Sequence, residues 1–348
     1  MRIRLSRLVV TFVVAVAAWI LVQVYGQARE PHPLEDRMLA AALQTERAFA
    51  VVDSVKREGG YAFPGDLPLR WSALLGEDYT PVTTTLGTLA AKQVSTNPAW
   101  ASVLVGLLAR AGVVQGDTVV VLLSASFPAL AVATVAAVNE LGAAPLIVSS
   151  LGASSYGANV RGATWLDWEA WLRDAGVMDI RSVMVTAGGE QDDATGMPDE
   201  GMEWLEEAAL RNGVRIKRFS SLSEAIEARM GIVNAARPGA IVNVGGGQAS
   251  LGSCPHAPSL PVGLWERSPV CRCPDRGVLA RCAGQGLPVI HLLQVRKLAA
   301  RYGLDFEPGS RYFNAGDVTT VLKVETIWVV AALSAVLLCI VAPERKQR

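Results

Sequence analysis

Apolar positions along this chain come in short blocks that alternate in period. Thr118–Leu123 is an apolar, largely β-branched run, the pattern of a strand buried on both faces. Pro128–Leu141 follows as a helix closed by Gly142, and Leu146–Ser149 as the next strand. Such a strand–helix–strand unit is expected to make a right-handed parallel crossover. Upstream, Ser95–Gly112 reads as a helix with Asn97 as N-cap, Pro98 in its first turn, and Trp100, Val103, Leu104, Leu107 and Leu108 on one face. Downstream, strands are expected at Ser182–Thr186, Val214–Phe219, Ala240–Val244 and Pro288–Leu292. Helices are expected at Asp199–Arg211, Leu222–Val233 and Gln294–Tyr302. This alternation predicts an α/β fold, a doubly wound and mostly parallel sheet flanked by helices.

The ends differ from the middle. Leu8–Tyr25 carries no charge and, at about 1.5 Å per residue, just spans a bilayer core. Ile327–Ala342 is a second, shorter uncharged run. Arg2, Arg4 and Arg7 precede the first, and Arg345, Lys346 and Arg348 follow the second. The positive-inside rule keeps both basic tips in the cytoplasm, so one transmembrane helix is expected at each end. A cleaved signal peptide competes for the first run, with Val24–Gly26 as its cleavage site, and a buried core helix for the second. The expected division is a cytoplasmic tip and first span over 1–26, a helical stalk over 27–70, and an extracytoplasmic α/β domain over 71–325. A second span over 326–342 and a basic tail over 343–348 complete it. The stalk's apolar stripe is Leu39, Leu43, Phe49 and Val52. The formal net charge of zero argues against a nucleic-acid partner, which usually requires a basic excess.

In doubly wound sheets, ligands bind beyond the carboxyl ends of the strands. Those ends carry "SASFP", "SSLGASSYGAN", "TAGGE", "NVGGGQASLG" and "HLL", gathering hydroxyls, glycines and amides on one edge. Ser124, Ser126, Ser150, Ser154, Ser155 and Asn159 are therefore candidate ligand contacts. Gly245, Gly246 and Gly247 form a candidate anion nest, for which a tight turn is the plain alternative. Ser126 also fits the N-cap of the helix that starts near Pro128. As a nucleophile it would take His291 as base, with a downstream acid such as Asp167. Its setting, L-S-A-S-F, lacks the glycines of a nucleophile elbow, and His291 sits in an apolar run where a core histidine is expected. Cys254, Cys271, Cys273 and Cys282 cluster in an insertion over 254–282 and are disulfide candidates for a domain outside the cytoplasm. Zinc is the rival there, but the spacing fits no common zinc pattern, so no metal and no cofactor is expected.

Several stretches together resemble the poly-γ-glutamate system protein family, a membrane-anchored accessory of capsule synthesis. They are "YTPVTTTLGTLAAKQVSTNPAWA", "SASFPAL", "SSLGASSYGAN", "TWLDWEAWL", "VNVGGGQASLG" and "GLPVIHLL". The chain departs from that family at Ala125, where glycine is usual, and in its cysteine-rich stretch. Thr84, Thr85 and Lys92 fall in the first of these segments and join the candidate ligand contacts. The resemblance implies a bacterial cytoplasmic-membrane protein whose partners are the membrane, the synthase's membrane subunits and the γ-linked glutamate polymer. It transfers no catalytic residue. A γ-glutamyl hydrolase or transpeptidase using Ser126 is one alternative, and an extracytoplasmic small-anion receptor another.

Overall fold

The computed structural model describes residues 5–65, 67, 70–253, 259–266, 276–304 and 318–341. In chain order its first elements are α1 (Leu5–Tyr25), β1 (Gln27–Pro31), α2 (Glu35–Glu58), β2 (Thr83–Thr85), α3 (Leu89–Ser95) and α4 (Ala99–Arg110). Next come β3 (Thr118–Ser124), α5 (Pro128–Glu140), β4 (Ala144–Ser150), β5 (Ala153–Ser154), β6 (Asn159–Val160), β7 (Ala163–Thr164) and α6 (Trp165–Asp174). They are followed by β8 (Ser182–Thr186), α7 (Asp199–Arg211), β9 (Ile216–Lys217), α8 (Leu222–Ala236), β10 (Ala240–Val244) and α9 (Gln248–Leu251). The last are β11 (Gly263–Leu264), α10 (Val278–Gly284), β12 (Val289–Leu292), α11 (Val295–Arg301), β13 (Thr320–Val324) and α12 (Thr326–Val341). The chain divides into two units, residues 1–35 with 319–348, and residues 36–318.

In the terminal unit, β1 pairs antiparallel with β13, from Gln27 opposite Val324 to Pro31 opposite Thr320. Tyr25 stacks on Trp328 with ring centroids 6.4 Å apart. A side chain at Gly26 would fall 3.0 Å from the Trp328 Cβ, so the absent Cβ is what lets the two helices meet there. Helix α1 holds an 18-residue uncharged stretch, Leu8–Tyr25, long and apolar enough to cross a membrane. The expected second span is a helix of 16 residues. That is under the length a bilayer core demands, so among the described residues one helix qualifies.

The larger unit is a seven-stranded sheet in the order β11-β12-β10-β3-β4-β8-β9. All neighbours run parallel except β11, which is antiparallel to β12. Strand β3 lies at its centre because Val119–Leu123 offer apolar side chains to both faces, and all of them are buried. Val120 and Leu122 join Ile226, Met230 and Val233 of α8 and Val278, Leu279 and Cys282 of α10 in one core cluster. Helix α5 packs against β3, β4 and β10 and is backed by α4. It is apolar all round, and Pro128–Val138 are all buried, as a helix enclosed between a sheet and another helix requires.

The expected stalk over 27–70 is divided between the two units. Apart from its first residue, α2 belongs to the α/β unit. Met38, Ala41, Ala42, Thr45, Phe49 and Val52 are its buried face, whereas Leu43 is exposed. Ser102 Oγ of α4 donates to Met38 O at 2.7 Å. Gly106 of α4 faces the same residue, where a Cβ would lie 3.0 Å from Met38 Cε.

Candidate functional site

Successive strands step away from β3 in opposite directions, through β4 and β8 on one side and β10 and β12 on the other. The carboxyl ends of β3 and β10 therefore flank a topological switch point, where such sheets open a crevice. A cavity of ≈ 520 Å³ lies there. Ser124, Ser126 and Phe127 line it from the end of β3 and the turn after it, and Ser150, Gly152 and Ser154 from the end of β4 and the segment after it. The loop after β8 adds Gly188, Gly189, Glu190 and Asp192, and the turn after β10 adds Gly246, Gly247 and Gln248. Thr84, Thr85, Gly87, Thr88 and Lys92 come from β2, α3 and the turn between them. Strand β2 is brought in by its parallel pairing with β5, Thr83 opposite Ala153 and Thr85 opposite Ser154.

Lys92 is 1% exposed. Its Nζ donates to Ser154 Oγ at 2.7 Å and to the carbonyl of Ser126, and sits 3.8 Å from the Phe127 ring centroid. Burial without a carboxylate neighbour lowers its pKa to about 7. Ser126 does not cap α5. Phe127 is the N-cap residue, and its side chain makes no capping hydrogen bond. The Ser126 hydroxyl instead accepts the Ser154 N–H at 3.0 Å, and the Ser126 N–H donates to Ser124 Oγ at 3.1 Å. Its hydroxyl joins two strand-end segments rather than finishing a helix.

The floor toward β8 is a buried network. Asp192 Oδ1 accepts from Ser150 Oγ at 3.0 Å and from Thr186 Oγ1 at 2.8 Å, while Oδ2 lies 2.7 Å from Arg229 Nη2. Both side chains of this ion pair are nearly inaccessible. Gln191, Asp192 and Ala194 all hold positive φ, at 56°, 65° and 72°. Left-handed conformations at such residues persist only where surroundings over-determine them, and the Asp192 network is the restraint here.

The hydrolase-like constellation expected from the sequence is not assembled. His291 is fully buried in β12, its Nδ1 3.0 Å from Asn243 Nδ2, and it does not line the cavity. Burial lowers its pKa to about 4, so the ring is neutral. Asp167 is spent on the capping box of α6 and on Arg211 at 2.9 Å. Asn159 is likewise a staple. Its Oδ1 accepts the Glu77 N–H at 3.0 Å, and its Nδ2 donates to Glu77 O at 2.8 Å and to Thr83 Oγ1 at 3.0 Å. Ser155 and Gly245 stand next to the cavity wall in sequence without lining it. Thr84, Thr85, Lys92, Ser124, Ser126, Ser150, Ser154, Gly246 and Gly247 are brought together as expected.

Among the disulfide candidates, Cys254, Cys271 and Cys273 lie outside the described residues. Cys282 is a free thiol packed in the core, 3.9 Å from Met230 Sδ, and burial pushes its pKa up to about 12. Sequence reasoning missed Gly87, Thr88, Asp192 and Arg229. Arg229 did carry a signal, being the lone charge among Leu222, Ala225, Ile226, Met230 and Val233 at helical spacing. A charge on an apolar face needs a buried partner.

The fold and cavity define a doubly wound α/β unit with a strand-end pocket rich in hydroxyls and glycines. No protein-family model matches this chain, and no curated protein does. Among solved structures, the multiple substrate aminotransferase from Thermococcus profundus is similar over 98% of this chain and 71% of its own, with 12% identity and a TM-score of 0.17. That likeness is too slight to bear on fold or chemistry.

Proposed function

We propose that this chain is a membrane-anchored accessory of poly-γ-glutamate synthesis or export, whose α/β unit seats carboxylates of the polymer outside the cytoplasm. One observation carries the reading. Hydroxyls and glycines from separate strand ends line one cavity at the switch point, with the Lys92 amine beside them. Hydroxyl and main-chain donors suit a carboxylate and do so without a basic surface. Asp192 does not oppose this, because Arg229 pairs with it. The stretches that resemble the poly-γ-glutamate system family include the cavity residues of 84–92, 124–127, 150–154 and 246–248. Helix α1 supplies the anchor, and by the positive-inside rule the arginines that precede it lie on the cytoplasmic side.

The test is thermal unfolding of the full chain in detergent, with and without γ-linked glutamate oligomers. The oligomers should raise the unfolding temperature, and oligomers with amidated side carboxyls should not. Equal shifts from both, or from neither, sink the carboxylate reading.

A further inference from the structure

We propose that Ser154 is a nucleophile and Lys92 its general base, so that the cavity cleaves or transfers amide bonds of the chain it seats. The substrate class rests on the carboxylate-seat reading above. The pair itself rests on geometry. Lys92 Nζ lies 2.7 Å from Ser154 Oγ, and Ser154 lines the cavity. Lys92 lines the same cavity beside that hydroxyl and is itself almost wholly buried. The segments around the amine, residues 86–88, 124–127 and 153–155, carry no charged side chain. Among the described residues no carboxylate comes within ion-pair distance of it, and its partners are a hydroxyl, a carbonyl and an aromatic face. Serine with a lysine base is an established nucleophile arrangement.

Ser126, the nucleophile suggested by the sequence, is placed differently. Its hydroxyl accepts the Ser154 N–H and so fixes the backbone of Ser154. Gly87 keeps the pair uncrowded, since a Cβ there would lie 3.2 Å from Ser154 Oγ and 3.4 Å from Lys92 Cε.

The step balances without a cofactor. Neutral Lys92 takes the Ser154 hydroxyl proton as Oγ bonds to the amide carbonyl carbon. The C–N bond then breaks as Lys92 returns that proton to the leaving amine. Water, giving a proton to Lys92, attacks the Ser154 ester, and the Oγ–C bond breaks as Oγ is reprotonated. An incoming amine in place of water gives transpeptidation. Burial that lowers the Lys92 pKa to about 7 leaves a large neutral fraction near neutrality.

The test treats the full chain in detergent with a fluorophosphonate probe and maps the modified peptide. Ser154 should carry the label, about tenfold faster at pH 8.5 than at pH 6, as deprotonation of one base requires. Ser154→Ala should abolish it, and folded Lys92→Met should slow it at least tenfold. Label on Ser126, no label at pH 8.5, or equal labelling in folded Lys92→Met overturns the pair. If that variant does not fold, a flat wild-type pH profile overturns it. Polymer that binds while Ser154 stays unlabelled and chain length constant refutes the dyad and leaves the carboxylate seat standing. Labelled Ser154 with no polymer binding sinks the carboxylate seat and keeps the dyad.

Discussion

Asp192 and Arg229 meet at 2.7 Å, in side chains only 4% and 3% exposed, beneath the loop that carries three left-handed non-glycine residues. The pair joins α8 to the cavity wall, and its value lies in holding that loop. Removing one partner leaves an uncompensated buried charge. Arg229→Met should cost about 3–5 kcal/mol, read as a fall in urea midpoint. Combining it with Asp192→Asn should recover part of that loss, because no lone charge remains. A double variant no more stable than Arg229→Met would show that the charge is not what the pair compensates.

Lys92 and Lys56 both hold pKa values lowered to about 7, chiefly by burial. Their unfolded-state value is the ordinary 10.5. Between these values the unfolded chain binds protons that the folded chain does not, so stability rises with pH across that window. Below about pH 7 the cost of charging the buried amines is fully present. Each group contributes at most ~1.4 kcal/mol per pH unit. Lys92→Met removes one of the two, and the rise in urea midpoint between about pH 7 and pH 10 should fall by roughly half. An unchanged slope would place the titration elsewhere.

Glu190 is an exposed carboxylate at the cavity mouth. It opposes a polyanion from the rim, where solvent screens it. Glu190→Gln should tighten γ-linked polyglutamate binding by about two- to fivefold at low salt and leave it unchanged at high salt. Titration calorimetry at two ionic strengths measures both. Tightening that survives high salt would point to a contact other than charge repulsion.

Cys282 faces the core with its pKa pushed to about 12. Its alkylation by iodoacetamide in the folded protein at pH 8 should be on the order of a thousandfold slower than in urea, by thiolate fraction alone. Mass spectrometry of its peptide reads this directly. Ready alkylation without denaturant would mean that α10 opens.

The elements were legible locally. Ser182–Thr186, Asp199–Arg211 and Ala240–Val244 fall at their expected bounds, and Gly142 closes α5 with φ of 71° as expected. Strand and helix periodicities, and the turn residues that end them, depend on neighbours a few positions away. Helix α2 shows the limit of that information. Its pattern gave an amphipathic helix but not what the helix packs against, and the expected apolar stripe included exposed Leu43 while missing Met38 and the small residues.

The amino-acid order by itself determined the strand–helix alternation, the buried parallel sheet and the polar chemistry of its carboxyl edge. It did so because each of these is written in side-chain type and short-range spacing. Only the tertiary structure decided which hydroxyls share a cavity and what they touch. Ser126 meets the backbone of Ser154, 28 residues on, and Lys92 meets its hydroxyl across 62 residues. Those meetings depend on strand order, on the switch point between β3 and β10 and on the pairing of β2 with β5. Contacts of that kind are set by how elements stack, which no local period records.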